Sequence, residues 1–129
     1  MFKKIIGSLV VLSIITSFTM STAYAQETKL LRHVVLFKFK DGTSAAEIKK
    51  VEDAFRGLPS KIKEIRDFEW GTNNSPENLA QGFTHCFLVS FVSEKDREVY
   101  LPHPAHQAFV EVLKPILDKV LVIDYWTSK

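Results

Sequence analysis

Cysteine is nearly absent. Cys86 is the only one, so no internal disulfide can staple this chain, even in an oxidising compartment. A lone thiol so far from the amino terminus also excludes a lipid-anchored lipoprotein, and its apolar surroundings suit a small core residue. Repeats and low-complexity segments are missing as well. An excess of charge is lacking too: of 17 Lys and Arg, Lys3 and Lys4 precede an apolar leader-like run, and the rest balance the 15 Asp and Glu. No basic patch remains to argue for nucleic acid as a partner. The one long apolar run, Ile5 to Met20, is short and dotted with Ser and Thr for a membrane span.

That run, with Lys3 and Lys4 before it and Ala23-Tyr24-Ala25 after it, has the pattern of a secretory signal peptide over residues 1–25. The expectation is export, to the periplasm or outside the cell, with no membrane attachment after cleavage. Residues 26–129 then have room for one small domain.

Within that domain the apolar pattern alternates between two periods. Leu31 to Lys40 reads as a strand in which Leu31, His33, Val35, Phe37 and Phe39 share one face. Ser44 and Glu47 have capping-box spacing and open a helix with Ile48, Val51, Phe55 and Leu58 along one stripe. Ile65 to Thr72 is a second strand, and a polar loop with a helical turn near Glu77 to Gln81 follows. Phe83 to Val92 is a third strand, with Phe83, His85, Phe87, Val89 and Phe91 on one side. Ser93 caps a charged helical run to Tyr100. The next helix turns Ala105, Phe109, Val112, Leu113 and Ile116 inward, and Pro115 is expected to kink or shorten it. Val120 to Trp126 is the last strand. The order β-α-β-β-α-β makes an α+β, ferredoxin-like sandwich: one four-stranded sheet with helices on one face.

Two helices cover only one face of such a sheet, yet three of its strands are apolar on both faces, the mark of a sheet buried on both sides. Left in water, the second face would expose more apolar area than soluble monomers usually carry. A homodimer joined through this face, with two sheets enclosing a barrel-like core, resolves the conflict.

The stretch from Tyr100 to Phe109 (YLPHPAHQAF) concentrates groups that move protons: Tyr100, His103 and His106. His33 and His85 alternate with phenylalanines on inward positions of neighbouring strands, where the four groups His33, His85, Tyr100 and His106 could share a cavity. A neutral imidazole in such a place takes or gives a proton near neutral pH. The plainer reading is that the strand histidines are satisfied core residues, and that His103, between two prolines, shapes the helix start. His103 and His106 also have the i, i+3 spacing of metal ligands. Pro104 between them and the missing third ligand argue against a metal, and none is expected.

Five motifs in order resemble one family: Arg32 to Lys40 (RHVVLFKFK), Phe68 to Thr72 (FEWGT), Gly82 to Phe91 (GFTHCFLVSF), Tyr100 to His106 (YLPHPAH) and Val122 to Trp126 (VIDYW). They look like the stress-responsive dimeric α/β barrel (Dabb) family, and the resemblance covers residues 26–129 almost entirely. It implies the ferredoxin-like fold and a dimer joined through its sheets. It also implies several possible roles, because family members include stress-induced proteins and a plant polyketide cyclase that closes aromatic rings by aldol condensation. The wider superfamily holds cofactor-free monooxygenases. By resemblance to the cyclase branch, His106 would be the general base, Tyr100 would orient it or bind the developing oxyanion, and His33 would assist at the carbonyl. His85 would be a polar wall, with Val35, Phe55, Phe87, Leu117 and Val122 lining a hydrophobic cavity. No cofactor is expected. The first helix departs from that branch by carrying Glu52 in place of a bulky aromatic residue, so the same substrate is not expected. Three roles follow: a binder of a small hydrophobic or aromatic ligand, a lyase or monooxygenase using His106, Tyr100 and His33, or a non-catalytic structural stress protein.

Overall fold

Strict alternation of apolar side chains builds the first strand, β1 (Leu31–Phe39), whose residues are buried and half-buried by turns along its whole length. The computed structural model describes residues 28–128, and the expected leader over residues 1–25 lies outside them. Helix α1 (Ala45–Arg56) starts at Ser44. The Ser44 hydroxyl accepts from the Glu47 backbone N–H, and the Glu47 carboxylate accepts from the Ser44 backbone N–H, completing the capping box. A short 3₁₀ turn at Leu58–Ser60 follows. Then come β2 (Asp67–Thr72), β3 (His85–Phe91), α2 (Glu94–Tyr100), α3 (Pro104–Leu113) and β4 (Leu117–Trp126).

The strands form one sheet in the order β2-β3-β1-β4, with every neighbouring pair antiparallel. This is the ferredoxin-like arrangement, in which the central strands β1 and β3 take the helices on one face. The second helical segment is split, because Pro102 and Pro104 interrupt it and His103 starts α3 afresh.

Several boundaries differ from the pattern reading for physical reasons. Strand β4 begins at Leu117, three residues before the expected Val120. Pro115 ends α3 in a 3₁₀ turn, Leu117 is already extended, and the Lys40 N–H holds the Ile116 carbonyl at 2.8 Å. The loop before β3 makes no helical turn. Asn78 and Gln81 adopt left-handed backbone (φ 59° and 54°), and Gly82 follows at φ 84° where a side chain would meet Lys38. Val112 is exposed, since α3 buries Phe109 and Leu113 and its Val112 side falls beyond the sheet contact. Cys86 is exposed as well. With His85 and Phe87 turned toward the helices, strand parity sends the thiol to the outer face.

The core is a stack of phenylalanines drawn from three layers. Phe55 of α1 lies parallel to Phe87 of β3, with ring centroids 4.2 Å apart and planes 4° apart. Phe109 of α3 packs on Phe55 at 4.5 Å, and Phe37 of β1 meets Phe87 at 5.4 Å. These rings are almost completely excluded from solvent. Among the described residues, no helix is long and apolar enough to cross a membrane.

Edge strand β4 breaks this pattern. Val35 and Phe37 of β1 are 6% and 1% exposed, yet their cross-strand partners Val122 and Val120 are each 49% exposed. The helix layer therefore stops between β1 and β4. On the outer face Leu121, Ile123 and Tyr125 are exposed too. The stack predicts a steep cost for Phe55→Ala, about 3–5 kcal/mol in urea unfolding. Val112→Ala, on the open side of α3, should stay within about 0.5 kcal/mol of the parent chain.

Candidate functional site

The β1–β4 ladder sets His33 directly opposite Asp124. Paired residues of an antiparallel ladder carry their side chains on the same face, so the carboxylate arrives beside the ring: His33 Nδ1 and Asp124 Oδ1 are 2.7 Å apart. Arg97 of α2 donates through Nη1 to the other carboxylate oxygen, Oδ2, also at 2.7 Å. An ionised carboxylate can only accept. The proton between the two groups therefore sits on His33 Nδ1, and in the neutral ring Nε2 carries the lone pair.

Tyr100 ends α2 and is wholly buried. Its ring stands edge-on to His33 at 5.8 Å, packs on Phe91 at 5.1 Å, and lies 4.5 Å from His106. Its hydroxyl has no hydrogen-bond partner. Leaving such a group unsatisfied typically costs about 1–3 kcal/mol. Burial also pushes its pKa far up, so the hydroxyl keeps its proton and remains a donor.

His106 sits in the first turn of α3. Leu101 caps the end of α2, where a carbonyl is left over from the helical ladder, and His106 Nδ1–H donates to it at 2.8 Å. That bond selects the tautomer with a free Nε2 lone pair. Burial lowers the pKa of His106 below the ordinary 6.5, against an opposite pull from the Leu101 carbonyl, and nearby His33 and His103 lower it further. His106 is therefore neutral at pH 7. His103 does different work: it caps α3, its Nδ1 accepting from the Ala105 N–H at 3.0 Å.

His33, Tyr100 and His106 thus form one cluster, and His85 does not join it. His85 pairs with Phe37, whereas His33 pairs with Val89, four positions along β1 and so roughly 13 Å away at strand spacing. His85 instead meets Glu52 of α1, Nε2 to Oε1 at 2.9 Å, and Thr84, Nδ1 to Oγ1 at 2.8 Å. Of the apolar residues, Phe55 and Phe87 lie in the aromatic stack between these two polar groups. Val35 is buried beside Val122, Leu117 is half-buried at the start of β4, and Val122 belongs to the uncovered strip next to Asp124.

The pattern reading missed Asp124 and Arg97. A carboxylate interrupting the apolar run Val120 to Trp126 was the available signal, but only the register reveals which side chain it meets. Glu52 likewise falls one turn after Ile48, on the stripe facing the sheet. Among the described residues, no three His, Cys, Asp or Glu side chains converge as a metal-binding group.

Comparison with known proteins agrees with this architecture. The stress responsive A/B barrel domain model matches residues 31–127. The chain is 42% identical over 95 residues to the stress-response A/B barrel domain-containing protein HS1 of Arabidopsis thaliana, covering 74% of this chain and 87% of that one. It is 30% identical over 99 residues to olivetolic acid cyclase of Cannabis sativa, covering 77% and 98%. Among solved structures, the hydroxynitrile lyase of Passiflora edulis superposes with a TM-score of 0.74 at 26% identity, covering 80% of this chain and 97% of that one. A dimeric protein of unknown function with a ferredoxin-like fold from Bacteroides fragilis superposes with a TM-score of 0.63 at 28% identity, covering 76% and 96%. In its matched length, motif order and sheet topology, the chain belongs to the stress responsive A/B barrel domain family.

Proposed function

We propose that this chain acts as an exported homodimer that takes a small hydrophobic or aromatic carbonyl compound at the His33–Tyr100–His106 cluster and moves a proton on it. The observation that carries this reading is the Tyr100 hydroxyl, buried without a partner between two imidazoles. A carbonyl oxygen of the ligand would be its missing acceptor. His106 Nε2 would take the proton from the carbon beside that carbonyl, and Tyr100 would bind the oxygen as charge develops on it. His33, fixed by Asp124 and Arg97, would hold the second polar group of the ligand. The exposed Val122, two positions before Asp124 on the same face of β4, would rest against its apolar part. The relatives named a cyclase and a lyase support chemistry on this fold rather than a purely structural role. The leader pattern in residues 1–25 supports export.

The test is a panel of small aromatic and β-keto compounds, read by ligand-observed NMR and by turnover. Turnover by the parent chain should be lost in His106→Ala, and its acid limb should lie below pH 6.5. The sign follows from the depressed pKa: the base is neutral above it and is lost only as pH falls through it. An acid limb at or above 6.5, or unchanged turnover in His106→Ala, removes His106 as the base.

Tyr100→Phe separates function from stability. Deleting an unsatisfied hydroxyl should leave unfolding free energy unchanged or raise it by about 1 kcal/mol, while ligand affinity falls about tenfold. A stability loss beyond about 1 kcal/mol would mean that the hydroxyl is bonded in solution.

The exposed outer face, together with the dimeric relative, supports the homodimer. Sedimentation should give twice the chain mass. Ile123→Glu, which places a charge on that face, should shift it to the single-chain mass.

A further inference from the structure

At the other end of the aromatic stack, Thr84, His85 and Glu52 stand in a line that the proposed proton-transfer chemistry does not use. Glu52 Oε1 lies 2.9 Å from His85 Nε2, and Thr84 Oγ1 lies 2.8 Å from His85 Nδ1. An ionised Glu52 can only accept, so the ring proton is on Nε2. Nδ1 then carries the lone pair, and the Thr84 hydroxyl donates to it. A hydroxyl bonded to an imidazole base, with that base oriented by a carboxylate, is the constellation that activates an oxygen nucleophile.

The surroundings fit the same task. His85 is 6% exposed and is held between Trp70, nearly parallel at 6.1 Å, and Phe39, edge-on at 5.0 Å. The base is therefore fixed and poorly hydrated, whereas Thr84 is exposed just before β3. Both residues line an open cleft of about 450 Å³ with Leu79, Phe83, Asn73 and Leu36, the last on the outer face of the sheet, so that the cleft lies beside the dimer seam proposed above. Three apolar side chains give an acyl chain a place to rest. Asn73 Oδ1 already accepts from the Ser75 N–H at 3.1 Å, which leaves the Asn73 amide N–H₂ free to donate to an oxyanion.

We propose that Thr84, His85 and Glu52 form an acyl-transfer site for esters or thioesters of small to medium hydrophobic acids. Thr84 Oγ attacks the acyl carbon and its proton passes to His85 Nδ1. The tetrahedral adduct collapses, the bond to the leaving alcohol or thiol breaks, and that group departs with the proton from Nδ1. Water, deprotonated by the same nitrogen, then attacks the acyl-threonine. The products are the free acid and the restored Thr84 hydroxyl. Glu52 touches neither substrate nor leaving group and acts as a positioning residue for the imidazole.

The experiment is hydrolysis of p-nitrophenyl acetate, butyrate and octanoate by the full chain, with intact mass spectrometry during the early phase. The parent chain should release nitrophenolate faster than buffer and should transiently carry one acyl group mapped to Thr84. Thr84→Val, nearly isosteric, should lose both signals, with a rate fall of about 10²-fold or more, and Thr84→Ser should retain them. Glu52→Gln should lower kcat with little change in KM and alter the pH profile, an effect that a merely structural pair would not produce. Circular dichroism and melting curves establish that each variant is folded. Hydrolysis no faster than buffer with all three esters, unchanged turnover in folded Thr84→Val, or an acyl group mapped elsewhere would each overturn the assignment. None of these outcomes depends on the His33–Tyr100–His106 cluster.

Discussion

The parallel contact between Phe55 and Phe87 is the interaction on which the rest of this structure hangs. One ring comes from a helix and the other from a central strand, with centroids 4.2 Å apart and planes nearly parallel. Phe109 and Phe37 close on the same pair from α3 and β1. Offset aromatic packing adds about 0.5–1.5 kcal/mol per pair beyond the area buried. Its larger effect is geometric. By fixing α1 and α3 to the sheet at one point, the stack sets the height at which each helix presents its polar residues. It also divides the layer between helices and sheet into two polar ends, one around His33 and one around His85. No described hydrogen bond joins these ends.

Each end joins a histidine on a strand to groups supplied by a helix. At the His33 end the β1–β4 register supplies Asp124, and the break between α2 and α3 supplies the Leu101 carbonyl for His106. At the His85 end, one further turn of α1 beyond Ile48 supplies Glu52. The prolines on either side of His103 thus have a chemical consequence as well as a structural one. Without the helix break, Leu101 would spend its carbonyl inside a continuous helix, and His106 would lose the bond that fixes its tautomer.

The fold was legible because its signals are local. The alternation in Leu31 to Phe39, the Ser44–Glu47 capping box and the double-sided apolar strands each reflect backbone geometry over a few residues. The dimeric relatives agree with what the double-sided strands imply. The site was less legible because its key pairings are set by register. Nothing in the spacing of His33 and Asp124, 91 positions apart, announces a 2.7 Å bond. Nor does the shared inward parity of His33 and His85 reveal that the ladder offsets them by four positions. Cys86 shows the converse case: its apolar neighbours pointed to the core, and the parity of the same strand sends it outward.

The tautomers bear on direction as well as identity. In its neutral form each of three histidines has one nitrogen committed to a partner that fixes the other as an acceptor: Asp124 for His33, the Leu101 carbonyl for His106, and Glu52 for His85. Every one of these rings is therefore arranged to receive a proton. At the His33 end Tyr100 is a buried donor without a partner, kept protonated by burial. A site whose first step gave a proton to a leaving group would need the reverse balance, with an imidazolium beside an acceptor. Burial works against that charge at His106, and its two histidine neighbours add to the resistance. The arrangement therefore favours chemistry that begins with proton removal, with one neutral hydroxyl to meet the oxygen on which the resulting charge collects.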